Sequence, residues 1–101
     1  MKNLNAKEFE ESISKDKQAV IIDVRTPQEE VEGKIENAIC LNIMNPSFIE
    51  KVKSLDKTKH YYVYCRSGGR SATACEFMES LGLTATNLAG GILAWNQMKS
   101  V

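Results

Sequence analysis

One of the three cysteines, Cys65, stands between a short apolar run and a glycine-containing loop. The run is YYVY at residues 61–64, and its β-favouring side chains predict a buried strand. The loop reads RSGGR at residues 66–70, and the segment after it has helical character. The sequence therefore predicts a thiol at the end of a strand, where a loop turns into a helix.

Such a loop would attract a negative charge. Glycines allow positive φ angles, so consecutive backbone N–H groups can point at one spot. The helix start adds free N–H groups, and Arg66 and Arg70 add two full positive charges. We therefore expect a lowered pKa for the Cys65 thiol, which favours the thiolate, the nucleophilic form of cysteine. The predicted site comprises the catalytic Cys65 and the anion-binding residues Arg66, Ser67, Gly68, Gly69, Arg70 and Ser71.

Two chemistries use a thiolate in such a loop, namely phosphate-ester hydrolysis and sulfur transfer through a cysteine persulfide. Cysteine phosphatases of this kind have a longer loop than the four residues between Cys65 and Arg70. The tighter loop favours a single terminal sulfur atom over a tetrahedral phosphate. A phosphatase also needs a carboxylic acid to protonate the leaving group. None adjoins the loop in sequence, although a tertiary contact could supply one.

Helical and strand patterns alternate along the chain. Strand candidates lie at residues 19–24, 38–43, 61–64 and 84–88, and helix candidates at residues 5–14, 26–33, 45–55, 69–82 and 90–100. This alternation predicts an α/β fold with a central parallel sheet of about four or five short strands and helices on both faces. We expect one domain over residues 1–101. Ligands of such sheets bind at the carboxyl ends of the strands, where Cys65 is placed.

Charge and cysteine content limit the classes of partner. Lys and Arg total 13 and Asp and Glu total 13, so we expect no nucleic-acid or membrane partner. The charged start of the chain lacks the apolar core of a secretory signal, which favours a cytoplasmic protein. The cysteine spacings match no zinc pattern, so we expect no metal and free thiols. Cys40 and Cys75 are predicted to pack in the core, although Cys75 could also resolve a persulfide into a disulfide.

Three segments resemble the rhodanese family of sulfurtransferases in its single-domain form. They are VIIDVRTPQEEVEGKI at residues 20–35, YCRSGGRSA at 64–72 and LAGGILAW at 88–95. The resemblance covers nearly the whole chain, and the second and third segments together are specific. Lys34 stands where the family often has histidine, and Asn37 where it often has glycine.

The resemblance implies a persulfide mechanism. Cys65 would take the outer sulfur of a small anionic donor such as thiosulfate, and N–H groups from Arg66 to Ser71 would hold it. A thiol, including a protein thiol, or cyanide would then accept the sulfur. No cofactor is implied beyond the persulfide. The alternatives are a sulfur carrier or interaction module with little thiosulfate activity and, disfavoured by loop length, a cysteine phosphatase or arsenate-reductase-like enzyme.

Four charged residues near the strand ends have two interpretations each. Arg66 and Arg70 are both candidates for binding an anionic donor. The alternative is that one of them only solvates the rim of the loop. Asp23 either supports the loop through hydrogen bonds or is structural. For Arg25 we favour a structural role, in a salt bridge to a glutamate of the next helix, Glu29 or Glu30, over support of the loop.

Overall fold

A computed structural model describes residues 1–100, and Val101, the last residue of the expected domain, lies outside that range. The strands are Lys2–Leu4 (β1), Ala19–Asp23 (β2), Ile39–Cys40 (β3), His60–Tyr64 (β4) and Thr84–Leu88 (β5). The helices are Ala6–Lys15 (α1), Pro27–Val31 (α2), Phe48–Lys53 (α3), Gly69–Ser80 (α4) and Gly91–Lys99 (α5). All strand pairs are parallel, in the order β1-β5-β4-β2-β3. The predicted α/β fold is confirmed.

The helices pack against both faces of the sheet. Successive residues of a strand point to opposite faces, and β4 shows this directly. Val63 lies in a core cluster with Val52 of α3 and Met78 of α4. Tyr62 lies in a second cluster with residues of α1 and α5, where Phe9 packs edge-on against its ring. Burying a side chain the size of Phe9 contributes roughly 1.5–3 kcal/mol, so these two clusters hold the sheet in place.

Two strands differ from the sequence prediction. β1 was not predicted, because it has only three residues, which are largely exposed and show no apolar periodicity. Pairing with β5 orders it, with Asn3 opposite Asn87. β3 is shorter than the predicted strand at residues 38–43. Beyond it the chain still follows β2, since Leu41 N–H donates to Asp23 O, but the ladder is no longer regular.

Two of the helices, α1 and α2, begin with a side-chain cap. The side chain of Asn5 accepts from Glu8 N–H, and the Glu8 carboxylate accepts from Asn5 N–H, which forms a capping box at the start of α1. Thr26 and Glu29 form the same arrangement at α2.

Among residues 1–100, no helix is long and apolar enough to cross a membrane.

Candidate active site

Cys65 directly follows β4, the central strand of the sheet, at its carboxyl end. The side chain is only 1% exposed. Its Sγ accepts a hydrogen bond from Gly68 N–H at 3.1 Å and lies 3.3 Å from the hydroxyl of Ser71. The sulfur therefore faces the donors of the loop, at the strand end that the sequence predicted.

The environment of the sulfur favours the thiolate. Burial alone would raise the pKa of the Cys65 thiol, but hydrogen-bond donors outweigh it and hold the pKa below its ordinary value. The hydroxyl of Ser71 has the largest lowering effect, followed by the backbone N–H groups of Ser71, Gly68 and Ser67. The sequence pointed to the N–H groups of the loop and helix start and to the arginine charges; the main lowering effects come from the hydrogen-bond donors.

The two loop glycines have different roles. Gly68 has φ +110°, in the region that favours glycine, and an added Cβ would lie 3.3 Å from Gly90 N. Gly69 is the first residue of α4 and has open space where a Cβ would stand. Only Gly68 is therefore required by the backbone of the loop.

The start of α5 supports the loop from the other side. Ile92 N–H donates to Cys65 O at 3.0 Å, and Leu93 N–H donates to Arg66 O at 3.3 Å. These contacts bring the backbone of Gly91 very close to the backbone of the cysteine loop. A Cβ added at Gly91 would lie 2.2 Å from Arg66 O. The free N–H groups at this helix end thus bind carbonyls of the cysteine loop.

The two loop arginines are in different environments. Both terminal nitrogens of Arg70 donate to the Glu29 carboxylate at 2.8 Å, in a bidentate ion pair. This pair holds the pKa of Glu29 at about 2, below its ordinary value of 4.5. Arg66 is exposed and forms no ion pair with any of residues 1–100. Arg70 therefore joins the loop to α2, while Arg66 is available at the surface.

Replacing Arg70 by methionine is expected to lower the free energy of unfolding by about 1 kcal/mol at pH 7, because a partly buried ion pair is lost. The lowered pKa of Glu29 makes this contribution present above pH 4.5, and it falls as pH drops towards about 2. Urea unfolding of both proteins across this range measures the difference. Lys53→Met, at the exposed Lys53–Glu50 pair, should change stability by less than about 0.5 kcal/mol. A difference that stays constant down to pH 2 would contradict this role of the pair.

Asp23 and Arg25 form a buried ion pair with each other. The predicted salt bridge from Arg25 to Glu29 or Glu30 is wrong, since its guanidinium binds the Asp23 carboxylate, with Nη2 and Oδ2 2.7 Å apart. Arg25 also donates to the backbone oxygens of Glu29 and Gly33. Arg25 lies in a bend two residues beyond Asp23, and its own backbone N–H also donates to Asp23 Oδ1 at 2.9 Å, so this local turn brings the two residues together. These contacts fit the structural interpretation of both residues.

Comparison with known proteins identifies the family. The family described as "Rhodanese-like domain" matches residues 5–98. The chain belongs to the rhodanese-like domain family. It is 36% identical to "Putative sulfurtransferase YtwF" of Bacillus subtilis, over 94% of this chain and 90% of that protein. It is 30% identical to "Sulfurtransferase" of Allochromatium vinosum, over 91% and 85%.

A solved structure of the same family superposes on the chain. The rhodanese-related protein of Thermoplasma volcanium shares 37% identity and a TM-score of 0.86, covering 97% of this chain and 93% of that one. The resemblance drawn from the three sequence segments is therefore confirmed as rhodanese-like, and the sulfurtransferase names of the relatives support a role of that type.

One further cluster in the rhodanese-like domain has metal-ligand chemistry. Ligand atoms of Asp23, Glu30 and Cys40 lie within 4.8 Å of one another. Arg25 already occupies the Asp23 carboxylate, and burial, followed by the effect of Glu30, raises the pKa of Cys40 to about 11. With the Asp23 carboxylate held by Arg25, the three groups do not form a free ligand set for a resident metal.

The other thiols lie apart from the loop chemistry. Cys75 is fully buried, and burial raises its pKa to about 12, which fits the predicted core position. Cys40 is only partly buried, so the prediction of a core position holds less well for it.

Sequence reasoning missed two side chains that contact the rhodanese loop. Glu29 was weighed only as a partner of Arg25, yet it pairs with Arg70. Asn87 was not singled out at all. Its Nδ2 donates to Gly68 O at 3.3 Å and to Asn3 Oδ1 at 2.8 Å. A polar residue near the end of an otherwise buried strand was the one signal that could have found it.

Proposed function

We propose that this rhodanese-like domain is a sulfurtransferase that carries sulfane sulfur as a persulfide on Cys65. The donor is thiosulfate or a persulfide, and the acceptor is a thiol, including a protein thiol, or cyanide. The observation that carries the proposal is the position of Cys65 Sγ, which is buried at the strand end with hydrogen-bond donors from Gly68 and Ser71. Donors aimed at a buried sulfur stabilise a negative charge there, first on the thiolate and then on the persulfide.

The transfer then consists of two displacements that need no added oxidant. The Cys65 thiolate attacks the outer sulfur of thiosulfate, an S–S bond forms at Cys65, and the S–S bond of the donor breaks. Sulfite leaves with the electron pair, and Cys65 carries a persulfide anion. An acceptor thiolate or cyanide attacks the outer sulfur, and the electron pair returns to Cys65 as thiolate.

Arg66 is the proposed contact for the oxyanion end of the donor. It lines a cleft of about 120 Å³ beside the loop, together with Leu93 and Asn96. Its guanidinium has no ion-pair partner among residues 1–100, whereas Arg70 is committed to Glu29. Planar guanidinium groups bind oxyanions well, so Arg66 suits the donor and Arg70 suits a role in holding the loop.

The phosphatase alternative is weakened by the chemistry of Glu29. This carboxyl is the group that a tertiary contact brings to the loop. Its pKa of about 2 means that it carries no proton near neutral pH. A general acid must hold a proton to protonate a leaving group, so Glu29 is unsuited to that step.

The test is a single-turnover sulfur transfer followed by intact mass. Reduced parent protein is incubated with thiosulfate, excess donor is removed, and the protein is weighed before and after cyanide. We expect a gain of one sulfur atom, released by cyanide as thiocyanate. Cys65→Ser should gain none, because the nucleophile is lost. The matched control Cys40→Ser should gain sulfur as the parent does.

Other results would change the assignment. Sulfur gained from a low-molecular-weight persulfide but not from thiosulfate would favour the carrier alternative. No gain from either donor, with hydrolysis of an aryl phosphate that depends on Cys65, would overturn the proposal in favour of a phosphatase.

A further inference from the structure

The Ser71 hydroxyl has two acceptors within reach. Its Oγ lies 3.3 Å from Cys65 Sγ and 3.3 Å from Gly68 O. A hydroxyl has one proton to donate, so it can satisfy only one of the two at a time. The direction of this proton matters, because the Ser71 hydroxyl is the largest stabilising contact of the Cys65 thiolate.

Two other donors reach the competing carbonyl. Gly68 O accepts from Ala72 N–H, in the first turn of α4, at 3.1 Å. It also accepts from Asn87 Nδ2 at 3.3 Å. A carbonyl oxygen has two lone pairs. With both lone pairs used, Gly68 O has little capacity left for the Ser71 hydroxyl, whose proton is then free for the sulfur.

We propose that Asn87 is a positioning residue for the reaction: by donating to Gly68 O, it directs the hydroxyl proton of Ser71 to Cys65 Sγ. Asn87 does not touch the sulfur and acts through Gly68 and Ser71. The effect of Asn87 on sulfur transfer rests on the proposed function. The hydrogen-bond arrangement itself is independent of which sulfur donor the protein uses.

The other end of the Asn87 amide supports this role. The side chain is buried, and its Oδ1 accepts no hydrogen bond from any of residues 1–100. A buried acceptor without a partner destabilises a fold, and an apolar side chain of the same shape would avoid that penalty. The part of the Asn87 amide that forms hydrogen bonds is its Nδ2 group, which donates to both Gly68 O and Asn3 Oδ1.

The first experiment titrates the Cys65 thiolate in Asn87→Leu by its ultraviolet absorbance. Leucine has a similar shape but no donor. We expect the titration midpoint to rise and the thiolate fraction at pH 6 to fall about threefold to tenfold. Burial raises the pKa of Cys40 to about 11 and of Cys75 to about 12, so these thiols do not titrate in the same range. Thermal melting should show a folded protein.

A double-mutant cycle separates positioning from a general loosening of the fold. Ser71→Ala should raise the midpoint by itself, and adding Asn87→Leu should raise it little further, because the proton that Asn87 directs is already gone. The control Thr84→Val changes an exposed residue at the other end of β5 and should leave the midpoint unchanged.

Two results would overturn the inference. One is an unchanged midpoint in Asn87→Leu, and the other is a rise of equal size in the presence and absence of the Ser71 hydroxyl. If the leucine variant does not fold, Asn87→Ala, which introduces no larger side chain, decides by the same criteria. The titration uses no sulfur donor, so failure of the persulfide proposal would appear only in the mass experiment.

Discussion

Replacing Gly91 by alanine is expected to abolish sulfur uptake by Cys65, with a loss of more than about 100-fold in the single-turnover rate. The new Cβ would lie 2.2 Å from Arg66 O and 2.6 Å from Ser67 N, and backbone atoms cannot rotate away. The start of α5 must therefore move off the loop. Its N–H groups would lose Cys65 O and Arg66 O, and the loop donors would no longer converge on the sulfur.

Gly82→Ala is the matched control for this substitution. Gly82 has a similar left-handed backbone, with φ +84° against +61° at Gly91, but an added Cβ would meet nothing closer than Lys57 Nζ at 3.9 Å. Its variant should lose about 1 kcal/mol of stability from backbone strain and still take up sulfur. Stopped-flow sulfur transfer and urea unfolding measure the two effects. An equal loss of sulfur-transfer rate in the two variants would mean that backbone strain, not the close contact, requires glycine at position 91.

Replacing Arg25 by methionine is expected to lower the free energy of unfolding by about 3–5 kcal/mol, because Asp23 would be left as a buried charge without its partner. Arg25 is 3% exposed and Asp23 is 0% exposed. The remaining side-chain donor to Asp23 is the hydroxyl of Tyr64, at 2.9 Å. Urea unfolding at pH 7 measures the loss, and it should greatly exceed that of Arg66→Met, which removes an exposed guanidinium.

The double variant Arg25→Met with Asp23→Asn tests the origin of this loss. Removing the charge together with its partner should cost less than the sum of the two single changes, because no unpaired ion remains buried. A loss below about 1 kcal/mol for Arg25→Met would show that solvent or a local rearrangement satisfies Asp23.

The parts of the site that are contiguous in sequence could be predicted. The strand, Cys65, the glycine loop and α4 follow one another along the chain, so local propensity and backbone chemistry were sufficient. The partner of Arg25 was predicted wrongly because helical spacing was applied to a residue that precedes α2 and lies in a bend after β2. In this bend both its backbone N–H and its guanidinium donate to the Asp23 carboxylate at i−2.

The contacts that join distant segments could not be predicted in this way. Arg70 meets Glu29 across 41 residues, and Asn87 meets Gly68 across 19. Both depend on strand order, which places the ends of β2 and β5 on either side of β4. β1 gave no signal at all, since a short, exposed segment has no apolar periodicity and is ordered by its pairing with β5.

The contact of Asn3 with Asn87 joins residues that are 84 positions apart, and Asn87 in turn holds the cysteine loop. The start of α5, which follows almost the whole chain, binds the same loop. During synthesis, a growing polypeptide that has emerged only as far as Cys65 lacks every one of these distant supports. Its thiol then has the acidity of an ordinary cysteine and is mostly protonated at neutral pH. The full set of hydrogen bonds around the Cys65 loop therefore needs residues from Asn3 to the start of α5 to be folded together.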